Sequence, residues 1–260
     1  MLHGGSAMLD ADELSVGEIQ SALLYRHAGY WAEQTLGYHN EPFHDEWYGL
    51  ELIYPRVAVV APREYAKSEV FSVITTAHHV QWAGYWQYLF SDTLDQAEEL
   101  AARAVSLIGD ARPDLVETMY RDEKGDKIFA NYSRLTVGGR GKKIRGAHPD
   151  RIVGDDILDD ESTATHHQRQ KVHKWWFGTV AEMAHGPITR RLGWGRNITP
   201  SMQQVIAVPP TNFVLVGTPF HEEDLLLGMR QNPIYHFRRY EAFYHPGDLV
   251  MEGSLAVEIA

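Results

Sequence analysis

Apolar residues recur at helical spacing near the start of the chain, at Leu14, Ile19, Leu23, Leu24 and Tyr30. They predict an amphipathic helix or helical pair over 12–36. The turn-prone run His39-Asn40-Glu41-Pro42 separates this from a second helical stretch, 44–53, which ends near Pro55. The period then changes. Arg56-Val57-Ala58-Val59-Val60 is a β-branched run of the kind buried on both faces of a parallel sheet, and 61–66 breaks it before a helix predicted from Lys67. The same grammar repeats in a strand over 85–91 and a helix over 92–108, with Leu94, Ala97, Leu100, Ala101, Ala104 and Leu107 as its apolar positions. Strand then helix, twice, implies right-handed βαβ units and an α/β fold around a mostly parallel sheet. Short alternating segments with Gly125, Gly138, Gly139 and Gly141 predict small antiparallel strands and tight turns over 127–144. Then follow a buried-type strand at 151–155, a long helical region over 161–183, a Gly/Pro-rich excursion over 186–210, a strand at 212–217 and a helix over 221–231.

A chain of 260 residues suits one main α/β domain. Its longest apolar runs, such as 57–62, are too short to span a bilayer, and the N-terminus lacks the pattern of a signal peptide, so a cytosolic protein is expected. The absence of cysteine removes disulfides, thiolate zinc sites and iron–sulfur clusters. A net charge of -11 argues against high-affinity nucleic-acid binding by the chain alone, because such affinity comes from basic side chains neutralising phosphates. Any DNA contact must be local. The stretch 134–151, with Arg140, Lys142, Lys143, Arg145 and Arg151 against Asp150, is the candidate, and a solvated basic loop is the equal alternative.

The break after the first strand carries the chemistry. Ala61-Pro62-Arg63-Glu64-Tyr65-Ala66-Lys67-Ser68 has the spacing of a phosphate loop, with alanine at both glycine positions. In such loops backbone N–H groups and the following helix N-terminus cradle the phosphates of ATP, the lysine reaches the β- and γ-phosphates, and the hydroxyl ligates Mg2+. A surface Lys-Ser pair is the alternative, but the setting between a buried strand and a helix is the one the motif demands. Ala66 must then be tolerated without glycine's freedom at positive φ. Glu64 within 4 Å of a phosphate charge would be opposed by about 4 kcal/mol at an effective dielectric of 20, so its carboxylate is expected to point away. Arg63 can stabilise charge on the γ-phosphate or pair with Glu64. The strand at 151–155 ends in Asp155-Asp156, where one carboxylate can hold hydrated magnesium and the next can polarise the attacking water. Asp155 is the metal candidate together with Ser68, and Asp156 the base. Asp159, Asp160 and Glu161 fit the start of the next helix better than a ligand set.

These residues, with Phe90-Ser91-Asp92-Thr93-Leu94-Asp95-Gln96-Ala97, Ile144-Arg145-Gly146 and Val216-Gly217-Thr218-Pro219-Phe220-His221-Glu222-Glu223-Asp224, resemble the ATPase domain of tailed-bacteriophage large terminase subunits over roughly 42–240. The resemblance implies an additional-strand (ASCE-type) P-loop NTPase that uses ATP and Mg2+. It also implies a homo-oligomeric ring on the portal protein, working with the small terminase subunit to drive double-stranded DNA into a procapsid in the host cytoplasm, with no membrane partner. By resemblance, Arg63 matches the arginine that senses the γ-phosphate, Lys67 and Ser68 the phosphate and magnesium residues, and Asp155 the acidic-strand metal residue. Asp156 matches the catalytic position, where many members carry Glu. Gly217-Thr218 matches the motif that couples the γ-phosphate state to motion, which makes Thr218 the third catalytic candidate beside Asp156 and Arg63; a helix N-cap region is its alternative. The family's adenine-contacting glutamine has no clear counterpart, and His44, Trp47 and Tyr48 occupy that region either as a stacking surface or as a packed helix face. An arginine supplied in trans is expected, with Arg140, Arg145, Arg151 and Arg169 as candidates. The layout implied is a helical lead-in over 1–40, the ATPase domain over 41–245 and a tail over 246–260. The family's nuclease half would begin where this chain stops, so nuclease activity is not expected of it.

His166, His167 and His173 match no zinc ligand pattern, and Trp175-Trp176-Phe177 suits a core anchor or a subunit contact better than a base-stacking platform. Two other functions fit a phosphate loop. A small-molecule or nucleotide kinase would need an acceptor pocket and a lid, and in a non-hydrolysing nucleotide-binding assembly protein Asp156 would be inert.

Overall fold

The computed structural model describes residues 15–144, 146–192 and 204–240, together with two short paired strands, Leu249–Val250 and Val257–Glu258. Parts of the predicted lead-in, Arg145, the middle of the Gly/Pro-rich excursion and most of the tail lie outside these residues.

Helix α1 (Val16–Arg26) starts at a reciprocal cap between Ser15 and Glu18. It buries none of its side chains, so Ile19, Leu23 and Leu24 are exposed. The helical period is right, but packing is supplied by α2 (Ala28–Trp31) and the π-turn Ala32–Leu36, through Trp31 and Ala32. Then come α3 (Pro42–Ile53) and strand β1 (Arg56–Val60). The helix after the phosphate loop is π-helical over Glu69–Ile74 and passes into α4 (Thr75–Val80). Next are β2 (Trp86–Ser91), α5 (Leu94–Ala111), capped reciprocally by Thr93 and Gln96, and α6 (Pro113–Glu117). The chain goes on through β3 (Arg121–Glu123), β4 (Asp126–Ile128), β5 (Arg134–Gly139) and β6 (Arg151–Asp155). Helices α7 (Asp160–Ala164) and α8 (His166–Trp175) precede the hairpin β7 (Ile188–Leu192) and β8 (Gln204–Val208). Strand β9 (Asn212–Gly217), helix α9 (Leu225–Gly228) and strand β10 (His236–Arg239) follow.

The main sheet has the order β10-β1-β9-β6-β2-β5-β4-β3. Pairing is parallel from β10 to β5 and antiparallel for β4 and β3. β9 lies between β1, which precedes the predicted phosphate loop, and the acid-ended strand β6, matching the additional strand that the resemblance implies. Register then does the positioning. Val60 lies opposite Gly217 and Asp155 opposite Val216, so the ends of β1, β9 and β6 reach the same sheet edge together. Crevices outside the carboxyl ends of parallel strands are where open α/β sheets bind ligands.

Both faces are covered, as the β-branched runs require. Val57, Val59, Leu89, Val153 and Val214 face a layer containing Trp47, Phe71 and the apolar stripe of α5. Ala58, Val60, Phe90, Ile152 and Leu215 face Trp176, Val172 and Leu225. The aromatic triplet therefore serves as a core anchor. Trp176 is fully buried, a kind of side chain whose truncation costs about 3–5 kcal/mol, and Phe177 remains exposed.

Three sequence expectations change. In 127–144, β5 is not a small antiparallel strand but a central strand parallel to β2, and Gly138 and Gly139 lie inside it. A Cβ on Gly139 would stand 2.9 Å from the backbone nitrogen of Leu94, so the residue is a close-approach glycine rather than a turn signal. The 186–210 excursion contains the antiparallel β7–β8 pair. The helix expected over 221–231 shrinks to α9 and a 3-10 turn, and β10 appears beyond it as an edge strand whose sequence, His-Phe-Arg-Arg, carries no strand pattern.

Candidate nucleotide site

The phosphate loop leaves buried Val60, and Ala61 N–H donates to Gly217 O at 3.4 Å, which ties the loop base to β9. Glu64 and Ala66 adopt positive φ, +70° and +57°. Side chains resist this left-handed conformation by roughly 1–2 kcal/mol per residue, so the loop keeps a glycine-type path without glycine and other contacts must hold it there. Lys67 is buried at 5% exposure, and its Nζ donates to Pro62 O at 2.7 Å and to Thr218 Oγ1 at 3.3 Å. Burial lowers its pKa, opposed by the nearby Asp156 and Asp155 charges.

Ser68 and Ser72 are four residues apart on the same helix, and both reach Asp155. Ser68 Oγ donates to Asp155 Oδ1 at 2.8 Å, and Ser72 Oγ donates to Asp155 Oδ2. Burial pushes the Asp155 carboxyl up to about 6, against the lowering effect of the Ser72 hydrogen bond. Ser72 was not singled out from the sequence, although a hydroxyl one helical turn beyond Ser68 shares its face. Both serines lie where the helix is, or is about to become, π-helical, a distortion that recurs at functional sites.

Asp156 follows β6 with φ +42°. Its N–H donates to Val216 O at 3.0 Å and its Oδ1 accepts from Thr218 N–H at 3.0 Å. A Cβ on Gly217 would lie 2.9 Å from that carboxylate oxygen, so glycine makes room for the contact. Thr218 is no helix cap, since Asp224 caps α9. It touches both the loop lysine, through Oγ1, and the exposed acid, through its backbone.

A cleft of about 650 Å³ opens over these groups, lined among others by Arg63, Lys67, Ser68, Asp156, Thr218 and Phe220. Its size is that of a small-ligand site. Arg63 and Glu64 are exposed and both border it. Ser68 Oγ and the Asp155 carboxylate are the hard oxygen donors that suit Mg2+, which keeps several waters and takes few protein ligands. Among the described residues no group of three or more histidines or acids is placed to hold a metal. A cation here therefore needs phosphate oxygens and water to complete its shell.

Several other candidates are redirected. Trp47 and Tyr48 are buried, the packed-face alternative, and His44 Nε2 lies 3.2 Å from Tyr65 O in the phosphate loop. Asp159 caps α7 and takes Arg140 at 2.9 Å, while Arg140 also pairs with Asp92 at 2.8 Å. Arg151 has no exposed surface and lies against Glu51, so it is not available in trans. Arg169 is bound to Thr163 O at 2.8 Å and Glu223 at 2.9 Å. Arg145 lies outside the described residues. Within the basic stretch Arg134 pairs with Asp126, and Arg140 and Arg151 are engaged internally. Lys142 and Lys143 remain exposed. No helix among the described residues is long and apolar enough to cross a membrane.

No family model and no curated protein matches the chain. Among solved structures, a point mutant of the Thermus phage P74-26 large terminase ATPase domain superposes with a TM-score of 0.52 at 13% identity, over 80% of this chain and 84% of that one. The same domain without that description as a mutant gives 0.51 at 14% identity, over 80% and 83%. The HK97 bacteriophage large terminase gives 0.49 at 15% identity, over 90% of this chain and 46% of that one. With β9 inserted between β1 and β6 in a mostly parallel sheet flanked by helices, this chain has the α/β fold of the phage large terminase ATPase domain.

Proposed function

We propose that the chain is the ATPase motor domain of a viral DNA-packaging terminase large subunit, coupling ATP hydrolysis to movement of double-stranded DNA into a procapsid. The observation that carries this reading is the convergence on Thr218: Lys67 Nζ meets its hydroxyl at 3.3 Å and Asp156 Oδ1 meets its N–H at 3.0 Å. A residue touching both the phosphate-binding lysine and the acid beside the attacking water is placed to register the γ-phosphate state.

In this reading Pro62 to Ala66 wrap the phosphates, and Lys67 neutralises the β- and γ-oxygens. Ser68 and Asp155 would hold Mg2+, which when bound would supply charge screening for the phosphates. Asp156, with one carboxylate oxygen fixed by Thr218, offers the other to a water proton. Arg63, exposed at the cleft, reaches toward the γ-phosphate, and a neighbouring subunit in a homo-oligomeric ring supplies a further arginine. The motor unit spans 41–245, with 1–40 as lead-in and 246–260 as tail. Its partners are the portal protein, the small terminase subunit and DNA, in the host cytoplasm.

Asp156→Asn is expected to leave ATP affinity within about threefold and to lower turnover at least about 100-fold. Undiminished hydrolysis by that variant would falsify the assigned base. Phosphate transfer from ATP to an added acceptor rather than to water would instead favour a kinase. Portal-bearing procapsids that take up no DNA with ATP and the protein would remove the packaging role while leaving the ATPase.

A further inference from the structure

The phosphate loop takes two left-handed residues without a glycine, Glu64 and Ala66, and Tyr65 sits between them. Its carbonyl is the atom that His44 reaches from α3, at 3.2 Å through Nε2. The other ring nitrogen settles how that contact works. Glu41 N–H donates to His44 Nδ1 at 3.2 Å, so Nδ1 is an acceptor and carries no proton in this arrangement. The neutral imidazole then has its hydrogen on Nε2, which donates to the Tyr65 carbonyl.

The ring itself is fixed. Its centroid lies 4.2 Å from that of Phe43 and 5.4 Å from that of Trp47, and Trp47 is fully buried against Phe71 in the helix that follows the loop. Phe43 packs in turn against the Tyr65 ring, with centroids 5.4 Å apart. Backbone and side chain of Tyr65 are therefore both gripped by one turn of α3, at the single residue flanked by the two strained ones. A glycine-containing phosphate loop needs no such grip to overcome steric strain, because glycine takes positive φ without a Cβ clash.

We propose that His44 is a positioning residue that clamps the glycine-free phosphate loop in its phosphate-binding shape, through Nε2–H to the Tyr65 carbonyl. The inference rests on the nucleotide-binding reading for its effect on ATP, but the clamp itself acts in the protein without nucleotide. His44 takes the structural part that glycines play in other loops, and touches no phosphate.

The test compares the native chain, His44→Phe, which keeps an aromatic ring against Phe43 and Trp47, and His44→Gln, which keeps an amide donor. Two readouts are taken: hydrogen exchange over 62–68 without nucleotide, and the dissociation constant for Mg2+ with a slowly hydrolysed ATP analogue. Thermal unfolding of each variant serves as a control for global folding. His44→Phe is expected to speed exchange over 62–68 at least about threefold and to weaken analogue binding about tenfold, and His44→Gln to stay near native. Adding Glu64→Gly and Ala66→Gly to His44→Phe is expected to restore binding to within about threefold, since the loop then needs no clamp. Unchanged exchange in His44→Phe overturns the proposal whatever happens to binding. Weaker binding with unchanged exchange, or without rescue by glycine, would place His44 on the nucleotide itself and also overturn it. If the native chain binds no ATP analogue while His44→Phe still loosens the loop, the clamp stands and the ATPase reading falls.

Discussion

At the scale of single residues, the site depends on atoms that approach unusually closely. Gly217 is the clearest case, because a Cβ there would sit 2.9 Å from Asp156 Oδ1, the oxygen that accepts from Thr218 N–H. Gly217→Ala must shift either the carboxylate or the end of β9, an overpacking that costs about 1–3 kcal/mol. The clash falls on the Asp156 carboxylate, whereas Ser68 is held by Asp155 and Lys67 by Pro62 O as well as Thr218, so the variant is expected to lose about ten- to a hundredfold in kcat with KM for ATP changed less than about threefold. Steady-state hydrolysis separates the two, and a native kcat would show that the Asp156–Thr218 contact does not set the geometry of attack. The sequence singled out Lys67-Ser68, Asp155-Asp156 and Gly217-Thr218 by their spacing, and the fold brings them within hydrogen-bond reach of one another. What the sequence hid were Ser72 and the loop contact of His44, each defined by a partner far along the chain, at Asp155 and Tyr65. No local pattern encodes such a meeting.

At the scale of elements, the helix that begins at the phosphate loop joins the site to the interior, and its far end carries two buried histidines. His78 Nε2 lies 3.0 Å from Leu24 O, and the Nδ1 atoms of both His78 and His79 have no partner. Burial pushes the His78 pKa down to about 4 and that of His79 well below the usual value. The sign follows from linkage: the folded state keeps both rings neutral, while the unfolded chain takes up protons below 6.5. Stability is therefore complete above pH about 6.5 and is lost as pH falls toward about 4, by up to about 3 kcal/mol for His78 at 1.36 kcal/mol per pKa unit. Asp155 acts the other way. Its folded pKa of about 6 exceeds the reference 3.8, so it adds stability as pH falls through 6, offsetting part of the histidine loss. Denaturant unfolding at pH 7.5 and 5.0 should show a net loss in acid, and His78→Gln, which retains a donor for Leu24 O, should make the curve flatter. An equally steep dependence in that variant would mean that His78 is not the group responsible. Elements buried on both faces, such as β1, β2, β6 and β9, were plain in the hydrophobic pattern. β5 was misread because its two glycines serve packing, and β10 was missed because an edge strand can be half charged.

At the scale of the whole molecule, the sheet order places three strand ends together, and one buried ion pair holds the layers around them in register. Arg151, on β6, is fully buried and donates to Glu51 Oε2 of α3 at 2.9 Å, with a second bond from Nε to Oε1. The same guanidinium reaches Phe71 O at 2.7 Å and Thr76 Oγ1 at 3.0 Å in the helix after the loop, and Gln87 Oε1 of β2 at 3.2 Å. A charge in this position is sustained only by its partner, and removing one member leaves the other uncompensated, at about 3–5 kcal/mol. Glu51→Ala is therefore expected to lower the unfolding free energy by that amount, read as a fall in the denaturant midpoint at unchanged slope, with ATP affinity at temperatures below unfolding retained. Replacing both members together by Glu51→Leu and Arg151→Met should recover most of the loss, because a packed apolar pair needs no desolvated charge. The contrast between single and double variants distinguishes a structural pair from an arginine held ready for a neighbouring subunit. An arginine needed in trans would leave Arg151→Met stable and catalytically dead in the assembled ring, whereas the buried pair predicts an unstable single variant and a double variant that still hydrolyses ATP.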